Sequence, residues 1–373
     1  METVGAEIPA PEGPAIGADV LSPQLRKHVD PAAPVALRAM AAKLLVPRGP
    51  HDAACSLYLL SFDPDETVRA AAEASAGALP ERLAGPTLRD EGVPPPVLGW
   101  FARKLVGAGN DRLLEFVILN QATPDEALVE VVRRASPAVV ELIAQNQLRF
   151  LRCDALLRAI LSESRASPAV IDGTADFAIR SGVFFEDVPA LVEAHRRIHG
   201  DRPPEPPGET ADEVLRELKQ DLFDELPDEA AVDEGRRLTL TQRIQKMNVA
   251  ERIKLATRGN KEARTILLRD TNKLVAVAAV QSPRMTDGEI IAITNSRTIL
   301  EDVLRVIVNN RDWMKLYQVK LNLVKNPKTP LPTALKLLPH LRASDLKDLQ
   351  KNKNVPSAVQ TGARNQYSKS QPR

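Results

Sequence analysis

Short aliphatic stretches at helical spacing alternate with polar turns along most of the chain. Three of them, LLEFVILNQ, VVELIAQNQ and VKLNLVKN, each end in Asn or Gln. Apolar residues that recur every three to four positions predict amphipathic helices. Because each stretch is short and a turn signal follows it, the pattern predicts many short helices rather than a few long ones.

Prolines fall where these helices are predicted to begin or end. The segment KNPKTPLPTALKLLPHL, residues 325–341, holds four prolines among helically spaced leucines. Thr329 is predicted as an N-cap and Pro330 as the first helical residue. Proline is tolerated there because the N–H that it lacks would have no intrahelical acceptor at that position. Asn326 is predicted to close the preceding helix, and Pro339 to end the new one. The prolines therefore separate short helices rather than interrupt one.

The same punctuation recurs along the chain. Thr123-Pro124 with Glu126, and Thr286 with Glu289, have the capping-box pattern. Further predicted helix starts are Asp63-Pro64, Ser136-Pro137, Ser167-Pro168 and the Asn-then-Pro signal at 352–356. Although the spacing is irregular, the unit is constant: a short apolar helix, a turn with Asn or Pro, and another short helix. Such units predict an all-α protein, an α-solenoid in which each helix pair buries its face on its neighbours.

Particular segments also resemble known repeat families. The segment DPDETVRAAAEASAGAL, residues 63–79, resembles a bacterial HEAT-like repeat, and NLVKNPKTPLPTALKLL resembles the leucine-rich-repeat-variant unit. The stretch from Leu240 to Ala363 is similar to uncharacterised helical-repeat proteins of deltaproteobacteria. This resemblance implies short-helix repeats and carries no catalytic residues.

Composition changes this picture in two ways. Hydrophobic residues make up 43% of the chain but aromatic residues only 3%, so the core must be built from Leu, Val, Ile and Ala. The chain has two cysteines and no CxxC motif, which favours a reducing compartment. The N-terminal sequence lacks the basic and apolar regions of a secretory signal, and the longest apolar run, LVAVAAV, is too short for a membrane span. A cytoplasmic protein without membrane contact is therefore expected.

The net charge of +1 conceals two oppositely charged parts. From Thr241 to Arg373 there are 25 Lys and Arg against 10 Asp and Glu, a net charge of +15, whereas residues 1–240 carry 25 against 39, a net charge of −14. Opposite charges of this size indicate two domains with different surfaces. The acidic stretch DRPPEPPGETADE separates the two parts and is typical of an extended linker.

These signals together predict five regions. They are a disordered N-terminus at 1–20, an N-terminal helical-repeat domain at 21–200, an acidic Pro-rich linker at 201–238, a basic C-terminal helical-repeat domain at 239–366, and a flexible tail at 367–373. Within the linker, 212–224 is a candidate amphipathic helix with Leu215, Leu218 and Leu222 on one face.

Enzyme signatures are absent from the sequence. No glycine-rich phosphate loop occurs, and His195 and His199 lack the Glu of an HExxH zinc motif, so a solvated helix end is favoured over a metal site. Cys55 and Cys153 lie in apolar contexts with no histidine beside them in the sequence that could serve as a base, which favours buried thiols over nucleophiles. A non-enzymatic protein without cofactor or metal is expected.

The basic C-terminal half is the clearest candidate for a functional surface. It predicts a protein-binding scaffold with a face for an anionic, acidic protein partner; the alternatives are nucleic acid bound through its phosphates, or a solubilising surface only. The chain's own acidic linker is a further candidate ligand for this face. Stacking on single-stranded nucleic acid is disfavoured because aromatic residues are few. The predicted partner-binding residues are Arg258, Lys261, Arg264, Lys315, Lys320, Lys325, Lys328, Trp313 and Tyr317, the two aromatic residues being more typical of core or groove anchors.

Asparagines near the predicted turns allow two interpretations. The favoured one is that their amides satisfy backbone groups where helices stop. The other is a ladder of amides on a concave face that binds an extended peptide. The residues concerned are Asn120, Asn146, Asn309, Asn310 and Asn326.

Overall fold

The structure is a computed structural model that describes residues 13–204, 208–220 and 240–370. These residues form helices and turns, with no strand among them, so the all-α prediction is confirmed for the described part of the chain. Two compact units are present. Unit 1 comprises Met1–Ile179 and Phe184–Asp201, and unit 2 comprises Arg180–Val183 and Arg202–Arg373.

Unit 1 is built from short α-helices of 4 to 13 residues. Its α-helices are α1 (Pro23–Arg26), α2 (Val35–Ala42), α3 (Pro50–Leu60), α4 (Glu66–Gly77), α5 (Glu81–Leu88), α6 (Pro95–Gly107), α7 (Asp111–Leu119), α8 (Asp125–Arg134), α9 (Pro137–Ala144), α10 (Gln147–Arg152), α11 (Asp154–Arg158), α12 (Pro168–Arg180) and α13 (Pro189–His199). A 3-10 turn at Ala18–Val20 precedes α1, and a π-helical turn at Ala159–Glu163 follows α11.

Unit 2 continues with helices of similar length. They are α14 (Ala211–Gln220), α15 (240–246), α16 (Val249–Arg258), α17 (Lys261–Leu267), α18 (Lys273–Val280), α19 (Asp287–Asn295), α20 (Glu301–Asn309), α21 (Tyr317–Lys325), α22 (Leu331–Leu337), α23 (Ala343–Leu349) and α24 (Ser357–Ser370). Two 3-10 turns, Trp313–Lys315 and Leu338–His340, lie before α21 and after α22.

Each unit buries its apolar faces by packing helices against near neighbours in sequence. In unit 1, α6 contacts both α7 and α8, and α5 contacts α7; in unit 2, α18 contacts α16 and α20, and α19 contacts α21. The core consists almost entirely of Leu, Val, Ile and Ala, as the composition predicts. Since buried alanines carry little side-chain volume, they let the helix backbones approach closely.

A five-residue turn with Asp or Asn first and Pro last recurs in both units. The side-chain oxygen of its first residue accepts the N–H of the third, and the carbonyl of the first accepts the N–H of the fourth. A helix begins directly after the proline. We call this the Asx-Pro turn; its five examples are Asp30–Pro34, Asp90–Pro94, Asn120–Pro124, Asn326–Pro330 and Asn352–Pro356.

The Asx-Pro turn shifts two predicted helix starts by one residue. Thr329 and Thr123 are not N-caps, because Pro330 and Pro124 hold that position and the helices begin one residue later. The threonines instead point into the core, as do Val93 and Val355 at the same place in their turns. The capping box of Thr286 and Glu289 and the Ser136 cap are confirmed, whereas α4 is capped by Asp65 rather than Asp63.

The two buried threonines predict opposite responses to replacement by valine. The Thr123 hydroxyl donates to the Val117 carbonyl at 2.6 Å, whereas the Thr329 hydroxyl is buried and has no hydrogen-bond partner. Thr123→Val should therefore lower the free energy of unfolding by about 1 kcal/mol, and Thr329→Val should leave it unchanged or raise it. Urea denaturation of both variants checks this. A loss in Thr329→Val equal to that in Thr123→Val would show that the hydroxyl of Thr329 is satisfied.

Both predicted flexible ends are shorter than expected. The Ala15 N–H donates to the Tyr58 hydroxyl at 3.0 Å, and the Ser22 N–H donates to Asp52 at 3.1 Å, so residues 15–20 belong to unit 1 rather than to a disordered N-terminus. At the other end α24 continues through Ser370, four residues beyond the predicted end of the repeat domain. Residues 1–12 and 371–373 lie outside the described part of the chain.

The predicted linker is also too long, because residues 208–220 pack on unit 2. A Cβ on Gly208 would lie 2.5 Å from the Lys246 carbonyl oxygen, so only glycine fits there. The Ala211 N–H donates to Glu251 at 2.8 Å, and Val214 of α14 is fully buried in the contact with α16. Leu215 and Leu218 are only half-buried, and Leu222 lies outside the described residues. Within the described residues of the predicted linker, 201–204 is the longest continuous stretch in which every residue is exposed.

Limited proteolysis with endoproteinase Asp-N distinguishes these two parts of the predicted linker. Cleavage before Asp201, which is exposed between helices, should precede cleavage before Asp212, which lies in the docked helix α14. Intact mass spectrometry of the early fragments gives the order. Val214→Lys should bring the two rates together, since it places a charge in the α14–α16 contact without creating a new Asp-N site. Early cleavage before Asp212 in the unmodified chain would contradict the docking of α14.

Candidate binding surface

Arg264 is a core residue of unit 2 and not part of its surface, which corrects the prediction for this position. Its side chain is 5% exposed and donates to Glu289 of α19, 6% exposed, at 2.8 Å. It also donates to the Gly259 carbonyl at 3.1 Å. Burial alone raises the pKa of Glu289, but hydrogen bonds from Thr286 and Arg264 outweigh it and hold the pKa below its usual value. A partner could not reach this guanidinium without unfolding α17.

Arg258 and Lys261, also predicted to bind a partner, lie at the junction of α16 and α17. Arg258 is half-exposed and pairs with Asp212 of α14 at 2.9 Å. Lys261 is exposed and lies within no ion pair of the described residues. One of the two predicted cations, Arg258, is therefore already paired with a carboxylate of the acidic helix α14.

Trp313 and Tyr317 are half-buried, and Tyr317 is part of a clamp between helices. Its hydroxyl donates to Asp345 of α23 and accepts the Arg342 N–H at 3.0 Å. The Arg342 guanidinium lies over the ring, 4.5 Å from its centroid. Burial, and then the hydrogen bond to Asp345, raise the pKa of Tyr317, so the phenol stays protonated at neutral pH. Tyr317 joins α21 to α23, a role that the sequence did not reveal.

Lysines and arginines between Tyr317 and Ser370 are left without counterions. This segment, which we call the C-terminal basic segment, has ten Lys and Arg against two Asp, and none of the ten forms an ion pair in the described part of the chain. Eight of them are exposed and two are half-exposed. The ten are Lys320, Lys325, Lys328, Lys336, Arg342, Lys347, Lys351, Lys353, Arg364 and Lys369.

Several lysines and arginines earlier in unit 2 form ion pairs. Between 240 and 316, seven basic side chains are held in ion pairs. Lys315, one of the predicted binding residues, is among them because it pairs with Asp312 at 2.6 Å. Of the remaining predicted cations, Lys320 and Lys325 lie on α21, and the Lys328 ammonium donates to the Thr298 carbonyl at 3.2 Å. Between 240 and 316 about half of the cations are thus paired, whereas between 317 and 370 none is paired in the described part of the chain.

The asparagines of the turns serve the backbone. Asn120 donates to the Leu88 and Asp90 carbonyls at 2.9 and 3.1 Å, and Asn326 donates to the Thr294 and Ser296 carbonyls, both at 2.9 Å. In both cases the acceptors lie 32 and 30 residues earlier. Because both amides are buried and occupied, they cannot bind a peptide.

The other three predicted asparagines make different contacts from Asn120 and Asn326. Asn146 caps α10, and Asn310 accepts the N–H groups of Asp312 and Trp313, whereas Asn309 is exposed. Asn146 and Asn310 therefore also serve the backbone where helices begin or turn, which is the favoured interpretation.

Cys55 has a histidine neighbour that the sequence-based prediction did not consider: its Sγ lies 3.8 Å from the Nε2 of His51, four residues earlier. Burial, followed by the charges of Asp52 and Asp90, raises the pKa of Cys55 to about 12, and burial also raises the pKa of Cys153. Both thiols are therefore protonated at neutral pH and are poor nucleophiles. His195 packs edge-on against Phe184 and lies 4.9 Å from the His199 ring. No group of three His, Cys, Asp or Glu side chains suited to a metal occurs within 13–204, 208–220 and 240–370.

Comparison of the chain with known families, sequences and structures found no match. No protein-family model matches the chain, and no curated protein sequence or solved structure is significantly similar to it. Across the described residues, every helix is too short or too polar to cross a membrane.

Proposed function

We propose that this chain is a non-enzymatic cytoplasmic scaffold, an α-solenoid of HEAT-like short-helix repeats whose C-terminal basic segment binds an acidic protein. Two observations support the solenoid. Helices pack on their first and second neighbours in sequence, as stacked helix pairs do. Asn120 and Asn326, in different units, reach back by the same 32 and 30 residues to the turn before. Equal offsets are what a repeated structural unit of about 30 residues produces.

The ligand class rests on the unpaired cations of the C-terminal basic segment. Ten like charges within 54 residues repel one another, and in the described part of the chain no carboxylate forms an ion pair with any of them. An anionic ligand that approached these side chains would relieve the repulsion and gain attraction from several charges at once. The earlier helices of unit 2 do not offer this, since half of their cations are already neutralised.

An acidic protein segment fits this surface better than nucleic acid does. Single-stranded nucleic acid needs aromatic side chains for stacking, and the two tyrosines of the segment, Tyr317 and Tyr367, are both engaged within the protein. The chain also contains a small example of such pairing, because Asp212 of the acidic helix α14 forms an ion pair with Arg258 of α16 beside the buried contact of Ala211 and Val214. Duplex DNA held through its phosphates remains the second candidate, favoured by the same ten charges.

Charge reversal in the full-length chain tests the proposal. The variant K336E/K347E/K351E/K353E reverses four exposed lysines of the basic segment, and K27E/K43E/R82E/R165E reverses four exposed, unpaired cations of unit 1 with the same change in net charge. Binding to immobilised poly-L-glutamate and to duplex DNA of arbitrary sequence is measured at low and at physiological salt. We expect the first variant to bind poly-L-glutamate roughly tenfold or more weakly, and the control to bind like the unmodified chain.

Two results would decide against the proposal. Equal losses in both variants would mean that net charge alone drives binding. Retention on DNA but not on poly-L-glutamate, with affinity falling steeply with salt, would favour the nucleic-acid function instead.

A further inference from the structure

Two exposed leucines lie within the C-terminal basic segment. Leu331 and Leu335 are 40% and 37% exposed, and in the described part of unit 2 no other large hydrophobic side chain is exposed to this degree. They occupy positions i and i+4 of α22, so they lie one above the other on one helix face. Scattered single leucines on a surface are ordinary, but a pair in register on a helix already anchored elsewhere forms a strip.

The buried contacts of α22 lie on its opposite side. Ala334 and Leu337 of the helix, and Leu338 just after it, are buried against its neighbours. On the neighbouring α24, Gly362 has no side chain to cover the strip. A Cβ there would lie 2.7 Å from Leu338 and 3.1 Å from Leu335. The tip of Leu335 therefore lies against the α24 backbone, and Leu331 extends the apolar strip along α22.

Charged residues flank this strip on the same short segment. Lys328 precedes α22 and Lys336 follows Leu335; both are exposed, and neither forms an ion pair in the described chain. Asp345 and Asp348 are the only two carboxylates between 317 and 370, and Asp345 accepts the Tyr317 hydroxyl. An apolar strip of two leucines with uncompensated positive charge around it is complementary to a helix that carries leucines on one face and carboxylates beside them.

We propose that the exposed side of α22, where Leu331 and Leu335 form the apolar strip and Lys328 and Lys336 lie to its sides, docks an acidic amphipathic helix of a partner protein. This inference rests on the proposed function, since it names the part of the basic segment that gives specificity. The lysines attract any polyanion, whereas the leucines recognise only a partner with apolar residues on one helical face. Helix-in-groove binding of this kind depends on anchors at positions i, i+4 and i+7 of the bound helix.

The test uses the full-length chain and three acidic probes. The first peptide carries leucines at i, i+4 and i+7 among glutamates; the second has the same composition in a permuted order without an apolar face; the third probe is poly-L-glutamate. The variant Leu331→Ser with Leu335→Ser removes the strip. Its matched control, Leu45→Ser with Leu119→Ser, removes two exposed leucines of unit 1, so both should stay folded. Affinities are measured by fluorescence anisotropy.

We expect the unmodified chain and the control to prefer the amphipathic peptide over the permuted one by roughly tenfold, about the effect of burying one or two leucines. The Leu331→Ser, Leu335→Ser variant should lose this preference and still bind poly-L-glutamate. Equal binding of the two peptides by the unmodified chain, or a preference that survives in the variant, would overturn the inference and leave the proposed function standing. Leucine-dependent binding of the amphipathic peptide without any binding of poly-L-glutamate would support the inference and count against charge as the basis of the proposed function.

Discussion

Replacing Arg264 by methionine is expected to lower the free energy of unfolding of unit 2 by about 3–5 kcal/mol. The methionine keeps the apolar stem of the side chain but removes the guanidinium, so the Glu289 carboxylate stays buried without its counterion. Urea denaturation followed by tryptophan fluorescence measures the change. In a Trp100→Phe background Trp313 is the remaining tryptophan, and it reports on unit 2.

Two further variants separate the buried charge from other effects of the mutation. Arg258→Met also removes an arginine from an ion pair, but that pair is 49% and 70% exposed, so it should cost no more than about 1 kcal/mol. Arg264→Met combined with Glu289→Gln should be more stable than Arg264→Met alone, because no unpaired charge remains buried. Equal losses in Arg258→Met and Arg264→Met would contradict the assignment of Arg264 to the core.

The difference in free energy of unfolding between the unmodified chain and Arg264→Met should also depend on pH. Burial alone would raise the pKa of Glu289 in the folded chain, but hydrogen bonds from Thr286 and Arg264 lower it further than burial raises it. A carboxyl with a lowered folded pKa stabilises the fold fully above its unfolded pKa, about 4.3, and this stabilisation is lost as the pH falls through the folded pKa. The unmodified chain and Arg264→Met should therefore differ most near neutral pH, and the difference should narrow on acidification.

Arg264 also shows where sequence reasoning ends. In the sequence Arg258, Lys261 and Arg264 are three similar cations on neighbouring short helices. Arg264 can be buried because it pairs with Glu289, 25 residues later. The sequence does not show which carboxylate of unit 2 pairs with a given cation. The excess of Lys and Arg could be counted from the sequence. That seven of the cations between 240 and 316 form ion pairs, whereas none between 317 and 370 does so in the described part of the chain, needed the structure.

Local signals were predicted more accurately than their exact positions. The capping pattern of Thr286 with Glu289 depends only on residues three apart, and it forms as expected. The starts of α8 and α22 were each predicted one residue early, because Thr-Pro was interpreted as cap and first helical residue. In the Asx-Pro turn the side chain of the first residue already satisfies an N–H of the turn, and the threonine faces the core.

Helix α14 was predicted from the right pattern but with the wrong contacts. The spacing of Leu215 and Leu218 predicted a helix within the linker, and a helix forms there. The fully buried residues, however, are Ala211 and Val214. Small side chains let the α14 backbone approach α16 closely, as does Gly208 beside the Lys246 carbonyl. Such close approach leaves no signal in a pattern of hydrophobic residues.

Aspartate and asparagine are not interchangeable at the first position of the Asx-Pro turn. Asp30 and Asp90 only accept a hydrogen bond there, from the third residue of the turn. Asn326 accepts the same bond and also donates through its amide to the Thr294 and Ser296 carbonyls. A carboxylate can do the first and not the second. Asparagine is therefore required at Asn120 and Asn326, where the amide also bonds an earlier part of the unit.

Asn326→Asp is accordingly expected to lower the free energy of unfolding of unit 2 by roughly 3 kcal/mol or more. The variant leaves two carbonyls without their donor and places a negative charge against both, in a buried site. Asn352→Asp is the matched control. It occupies the same turn position in the same unit, accepts the Asn354 N–H, and donates no hydrogen bond from its amide in the described chain. The control should change stability by less than about 0.5 kcal/mol. Urea denaturation in the Trp100→Phe background again gives both values. Similar losses in the two variants would show that the bonds from one turn to the turn 30 residues earlier contribute nothing net, and the strongest support for a repeated, stacked unit would then be lost.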